Sequence, residues 1–228
     1  MRMRRKKNLD QRLERCDGVQ VKGPAENKGR WREIFGMDGE LHLEIGCGKG
    51  DFILECARRS PDVMFVAVEK YQNVLLLAME KIRDAGLKNV LFIDADAATL
   101  ADVFDKDEVD RIYLNFSDPW PPKKRHKRRL THPNMLAVYD KFLKPGGEIH
   151  QKTDNTGLFE FSLCSFSQFG YILYDITFDL HSTDFDNIMT EYERNFTQQG
   201  MKIYRCVARK PGGAAPAAPD ESGALKTE

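Results

Sequence analysis

Between residues 41 and 154, short strand-like runs alternate with amphipathic segments at a spacing that few architectures satisfy. "LHLEIG" (41–46), "VMFVAVEK" (63–70), "NVLFIDAD" (89–96), "VDRIYLNF" (109–116) and "GEIHQKTD" (147–154) read as strands, most of them near-continuously apolar. Between them lie "DFILECARRS" (51–60), stopped by Pro61, and "NVLLLAMEKIRDAG" (73–86), closed by a glycine. A short "ATLADVF" (98–104) and "THPNMLAVYDKFLKPGG" (131–147), opened by Thr131 and ended by a Pro-Gly-Gly turn, continue the series. A further helix is predicted over 155–167. Strands without in–out alternation are covered on both faces, and parallel neighbours need helical crossovers. The chain therefore reads as α/β with a doubly wound, mostly parallel sheet. Near the end the rhythm breaks. "YILYDITFDL" (171–180) and "MKIYRCVARK" (201–210) flank a polar segment and read as an antiparallel pair at one sheet edge.

This pattern divides 228 residues into a basic arm (1–30), one domain (31–210) and a Pro/Gly/Ala-rich tail (211–228) expected to be disordered. No apolar run approaches the roughly 20 residues of a membrane-spanning helix, and no apolar segment follows the basic N-terminus, so neither a membrane span nor a secretory signal is expected. Cys16, Cys47, Cys56, Cys164 and Cys206 show no CxxC spacing, which argues against a zinc site or a disulfide framework and fits a reducing cytoplasm. Monomer and homodimer both stay open. The 35 basic and 35 acidic residues cancel. Their distribution does not: Arg2, Arg4, Arg5, Lys6, Lys7, Arg12 and Arg15 crowd the arm, and 123–129 is a second basic block. A neutral chain can still present one strongly positive face; solvated charge runs are the plainer reading.

"EIGCGKG" (44–50) sets Gly46, Gly48 and Gly50 between a strand and a helix. Glycines there permit a sharp turn and close approach of a ligand, although the spacing is not that of dinucleotide binders and a simple tight turn would look the same. The next strand ends at Glu69, where a carboxylate can accept both ribose hydroxyls; the third ends at Asp96, placed to accept from an adenine amine. Singly, each is equally a solvated strand end. Together they describe an adenosine pocket. No P-loop lysine follows, so ATP is disfavoured as phosphoryl donor. The E-x-G-x-G-x-G form beginning at Glu44, the K-P-G-G turn and the late antiparallel pair resemble class I methyltransferases, which implies S-adenosylmethionine as cofactor. Glu44 and Asp118 would then face its sulfonium and amine.

The fourth strand leads into "NFSDPWPPKKRHKRR" (115–129). Asp118 stands at the sheet's carboxyl edge, Trp120 offers a face on which a base can stack or an ordinary core contact, and the cations beyond can hold phosphates. Taken with "EIGCGKG", "KTD" (152–154) and "TEYE" (190–193), this stretch resembles the bacterial tRNA (guanine-N7)-methyltransferase family over most of residues 40–208. The resemblance implies methylation of N7 of the guanine at about position 46 of the tRNA variable region. It also implies Asp154, Thr190, Glu191, Tyr192 and Glu193 as substrate contacts; Asp118 is the first candidate for the catalytic carboxylate, because charge develops on the purine beside it. In the family pattern a lysine stands four places after the aspartate; here Pro122 holds that place and the lysine's role passes to Lys123. Lys124, Arg125, His126, Lys127, Arg128 and Arg129 are expected to meet RNA, with His126 binding phosphate or ordering the loop. From the residues alone, "TEYERNF" is equally an exposed helix start with Thr190 as N-cap.

The chemistry is consistent. Guanine N7 is a neutral nucleophile with no proton to lose, so the site needs alignment and carboxylates near the developing cation rather than a strong base. Guanine's N1–H and 2-amino group can both be taken by one carboxylate, and reaching N7 in folded tRNA requires unstacking or extrusion of the base. Two rivals remain at this stage: a methyltransferase acting on adenine or cytosine amines, and a non-catalytic RNA-binding protein on the same scaffold. Glycine spacing disfavours a nicotinamide dehydrogenase.

Overall fold

The computed structural model describes residues 8–121 and 123–212. The basic arm's first seven residues, Pro122 and the tail from 213 onward lie outside the described residues. Seven strands form one sheet: β1 (Leu41–Ile45), β2 (Met64–Val68), β3 (Val90–Ile93), β4 (Val109–Asn115), β5 (Leu143–Thr153), β6 (Ile172–Thr177) and β7 (Tyr204–Arg209), in the order β3-β2-β1-β4-β5-β7-β6. The first five pair in parallel. The antiparallel element falls at one edge as expected, with β7 inserted between β5 and β6 and antiparallel to both.

Pleating separates two cores. Leu41, Leu43 and Ile45 of β1 and Met64, Val66 and Val68 of β2 face Trp31, Leu136 and Phe159, carried by α2 (Trp31–Phe35), α5 (Pro133–Tyr139) and α6 (Thr156–Phe169). Phe65 and Ala67 face the other way, onto Phe52, Leu75 and Met79 of α3 (Asp51–Arg59) and α4 (Gln72–Asp84). β2, buried on both sides, reads as a continuous apolar run; β1 is buried just as fully, but His42 and Glu44 alternate with its apolar residues.

Three expectations are corrected. Residues 8–30 do not stand apart as an arm. Helix α1 (Leu9–Glu14) buries Leu9 and packs on α4, where Arg12 forms a two-pronged pair with Glu80 (2.8 and 2.6 Å); Val19 and Val21 then bond the backbone of Phe92 beside β3. The Pro-Gly-Gly turn does not close the helix begun near Thr131. That helix ends at Tyr139, and Leu143 already pairs with Val109, so the turn sits inside β5 as an irregularity in its register. The segment 98–104 is a 3-10 turn over Ala97–Asp102 rather than an α-helix. Among the described residues no helix is long and apolar enough to cross a membrane.

Candidate active site

Strand order reverses between β1 and β4, and at such a point the carboxyl ends of an open α/β sheet leave a crevice. Here it is a cavity of about 610 Å³. Gly46, Glu69, Asp96, Asp118, Trp120, Lys127 and Arg128 all line it. Each glycine of the loop has positive φ: +80° at Gly46, +56° at Gly48, +79° at Gly50. Gly50 is also a packing requirement, because a Cβ there would lie 2.7 Å from the Cβ of Ala78, where α3 meets α4. At Gly46 and Gly48 a Cβ would meet no protein atom and would stand in the open crevice instead. Glu69 accepts from the backbone N–H of Gly48 (3.3 Å) and Tyr71 (3.0 Å), and burial raises its pKa against those bonds. Asp96 is exposed and caps the following 3-10 turn through Ala98 N–H (3.0 Å).

A smaller pocket of about 200 Å³ adjoins the first, with Gly46, Asn115 and Phe116 lining both. Glu44 lies in its floor. Its Oε1 accepts from Asn115 Nδ2 (3.1 Å), whereas its buried Oε2 has no hydrogen-bond partner among the described residues. Burial pushes this carboxyl up to about 8, opposed by the Asn115 hydrogen bond and the charge of Lys152. A buried carboxylate oxygen without a donor, at the foot of a glycine loop, fits a cationic ligand group.

The basic segment divides on inspection. Lys123, Lys124, Arg125, Lys127 and Arg128 are exposed, and of these Lys127 and Arg128 border the cavity. Arg125 and Arg128 lie over the Trp120 ring at 5.8 and 5.1 Å, so Trp120 is neither core nor a bare platform. His126 begins a single 3-10 turn and packs against His132. Arg129 corrects the expectation of an RNA contact. It is 4% exposed, and its Nε donates to the carbonyls of Pro119 (2.8 Å) and Trp120 (3.0 Å) while the guanidinium covers Phe161 at 4.5 Å. It clamps the loop that carries Asp118. Asp118 itself is exposed and lines the cavity.

The "TEYE" segment opens α7 (Glu191–Thr197). Thr190 is its N-cap: Oγ1 accepts from Glu193 N–H (2.9 Å) in a full capping box, as the plainer reading held. Glu193, expected to read guanine, is fully buried. Its carboxylate accepts from Lys152 (2.7 Å) and Asn187 (2.5 Å), with His181 at 3.2 Å, so it has no lone pair facing the pocket. Glu191 lines the smaller pocket and pairs with Lys49 of the glycine loop at 2.8 Å. Tyr192 also lines it, and its hydroxyl donates to Asp154 (3.4 Å).

Lys152 escaped the sequence reading. Its three donors are all used, on Asn187 Oδ1 (3.0 Å), Ile188 O (2.8 Å) and Glu193, and burial lowers its pKa against the Glu193 charge. The available signal was a lysine inside a strand otherwise expected to be buried.

A family described as "Putative methyltransferase" matches residues 38–206. A tRNA (guanine-N(7)-)-methyltransferase of Streptococcus agalactiae serotype III is 48% identical over 210 residues, covering 92% of this chain and 100% of its own. The chain belongs to the tRNA (guanine-N7-)-methyltransferase family. Enzymes of the same description from Geobacillus kaustophilus (48%, covering 92% of this chain and 98% of theirs) and Bacillus subtilis (46%, 90% and 97%) agree. This membership favours the main reading over both rivals. Solved structures similar in fold include an antibiotic-related methyltransferase (TM-score 0.61, 16% identity, 85% of this chain and 96% of that one) and the 16S rRNA methyltransferase KamB (0.61, 15%, 81% and 93%).

Proposed function

We propose that this protein transfers the methyl group of S-adenosylmethionine to N7 of the guanine at position 46 in the tRNA variable region. The observation that carries this reading is that Gly46, Glu69, Asp96, Asp118, Lys127 and Arg128 border one cavity. Family membership supplies the reaction class.

The residues fit the cofactor. Glu44 Oε2 offers an unpaired acceptor for its amine, and Gly46 and Gly48 leave the floor free of side chains. Glu69 is positioned for ribose hydroxyls and Asp96 for adenine. When bound, the cofactor supplies an electrophilic methyl on a sulfonium. Transfer of that methyl to guanine N7 would leave the purine cationic and the donor sulfur neutral. Asp118, at the rim, stabilises that charge; no proton is transferred at N7. Lys127 and Arg128 hold RNA phosphate beside it, with Lys123, Lys124 and Arg125 further out. Asp154 and Glu191 remain the carboxylates available to guanine's N1–H and 2-amino group.

The test is incubation with labelled S-adenosylmethionine and unmodified tRNA, followed by nucleoside analysis. Label in 7-methylguanosine, abolished when guanosine 46 is replaced, supports the assignment. Label confined to methylated adenine or cytosine overturns it.

A further inference from the structure

We propose that Phe116 is the surface on which the target guanine stacks, and that its strained backbone sets that ring between the two adjoining cavities. This rests on the transfer reaction proposed above and assigns the base to a place within it. Phe116 has φ +52°, a conformation that a bulky side chain rarely adopts. It follows β4 directly, and its N–H donates to the carbonyl of Lys152 (2.9 Å) on the neighbouring strand, which pins the peptide. Strain of this kind survives where the surroundings over-determine it, and such places concentrate at working sites.

Position gives the strain a use. Phe196 stacks on Tyr192 (4.1 Å, 20°), and Tyr192 leans on Phe116 (5.0 Å, 41°). Phe116 ends this aromatic column, and it is the member that lines both cavities. The spacing between Phe116 and Tyr192 is too short to admit a base between them. A purine therefore stacks on Phe116 where the ring lines the cavities, with its edge toward Asp118 and the methyl donor. Trp120, the other candidate, already carries Arg125 and Arg128. A purine stacked at the end of a fixed column is also held flat for in-line attack through N7.

The experiment compares F116A, F116G and F116W with wild type. It measures kcat/KM for tRNA, the Kd for S-adenosylmethionine, thermal stability, and the fluorescence of tRNA carrying 2-aminopurine at position 46. Removal of the ring should lower kcat/KM about 10- to 100-fold, from the worth of one base–aromatic stack, and should abolish stacking-dependent quenching. Cofactor Kd should change less than threefold. F116G relieves the positive-φ strain, so it should be at least as stable as F116A and yet as inactive. F116W should restore at least half of the activity and quenching. Wild-type-like kcat/KM in F116G, or F116W as defective as F116A, would overturn the proposal while leaving the reaction assignment intact. Failure of the wild-type protein to form 7-methylguanosine would instead remove the assignment beneath it.

Discussion

Replacing Glu193 by alanine should unfasten α7 from the sheet. Its carboxylate is fully buried and faces the Lys152 ammonium at 2.7 Å, itself only 7% exposed at the side chain. Burying the pair gains little, but removing one partner leaves an uncompensated charge in a dry site, at a cost of about 3–5 kcal/mol. For a domain of this size each kcal/mol moves Tm by about 2–4 °C, so E193A should melt about 6–20 °C lower. Lys152→Met should cost a similar amount, because the buried Glu193 carboxylate then loses its cation and retains Asn187, His181 and the Thr190 N–H as partners. The double variant K152M/E193A removes both charges and should lose less than the sum of the singles by about 1–3 kcal/mol. Reversible denaturation of the four proteins closes the cycle. In E193Q, which keeps an acceptor for the α7 cap, KM for tRNA should rise while cofactor Kd holds. A Tm for E193A within 2 °C of wild type, or strict additivity in the cycle, would show that the pair does not anchor α7.

Further outcomes follow from the site. The Glu44 carboxyl, near 8, keeps its proton between about pH 4.5 and 8 while the unfolded chain releases it, so its contribution to stability declines as pH rises through that window. E44Q should flatten that slope, and should also remove the roughly tenfold-per-unit loss of cofactor affinity expected as pH falls below 8, measured by calorimetry from pH 6 to 9. Charge reversal K127E/R128E should weaken tRNA binding and reduce the slope of log K against log salt by about one to two. R129A should leave that slope unchanged and lower kcat, since Arg129 holds Pro119 and Trp120 rather than phosphate. An equal loss of salt dependence in R129A would restore it to the RNA surface.

Much of the fold was legible because β2 and β3 are apolar along their length and buried almost throughout, and the strands recur at the spacing of helical crossovers. The glycine loop, Glu69, Asp96 and Asp118 were legible for a related reason: each sits at the end of a strand, so its position along the chain sets its place at the sheet edge. What escaped notice depends on partners distant in sequence. Lys152 and Glu193 are 41 positions apart, and only the fold turns a potential guanine reader into a buried anchor. Arg129 looked like its neighbours in the basic run, yet a 3-10 turn directs it inward onto Phe161 and two carbonyls. Residues 8–30 read as polar arm because Leu9, Cys16 and Val19 are too sparse to show a period, although each is buried. The Pro-Gly-Gly turn misled because such turns usually stop helices; here the strand pairing of Leu143 with Val109 dominates.

The central claim is that methyl donor and guanine meet at the tip of β4, beside Asp118. Single-turnover transfer by Asp118→Asn, with both substrates saturating, tests it most directly. The chemical step should fall at least about 100-fold, with cofactor and tRNA still bound. A single-turnover rate equal to wild type would place the chemistry elsewhere.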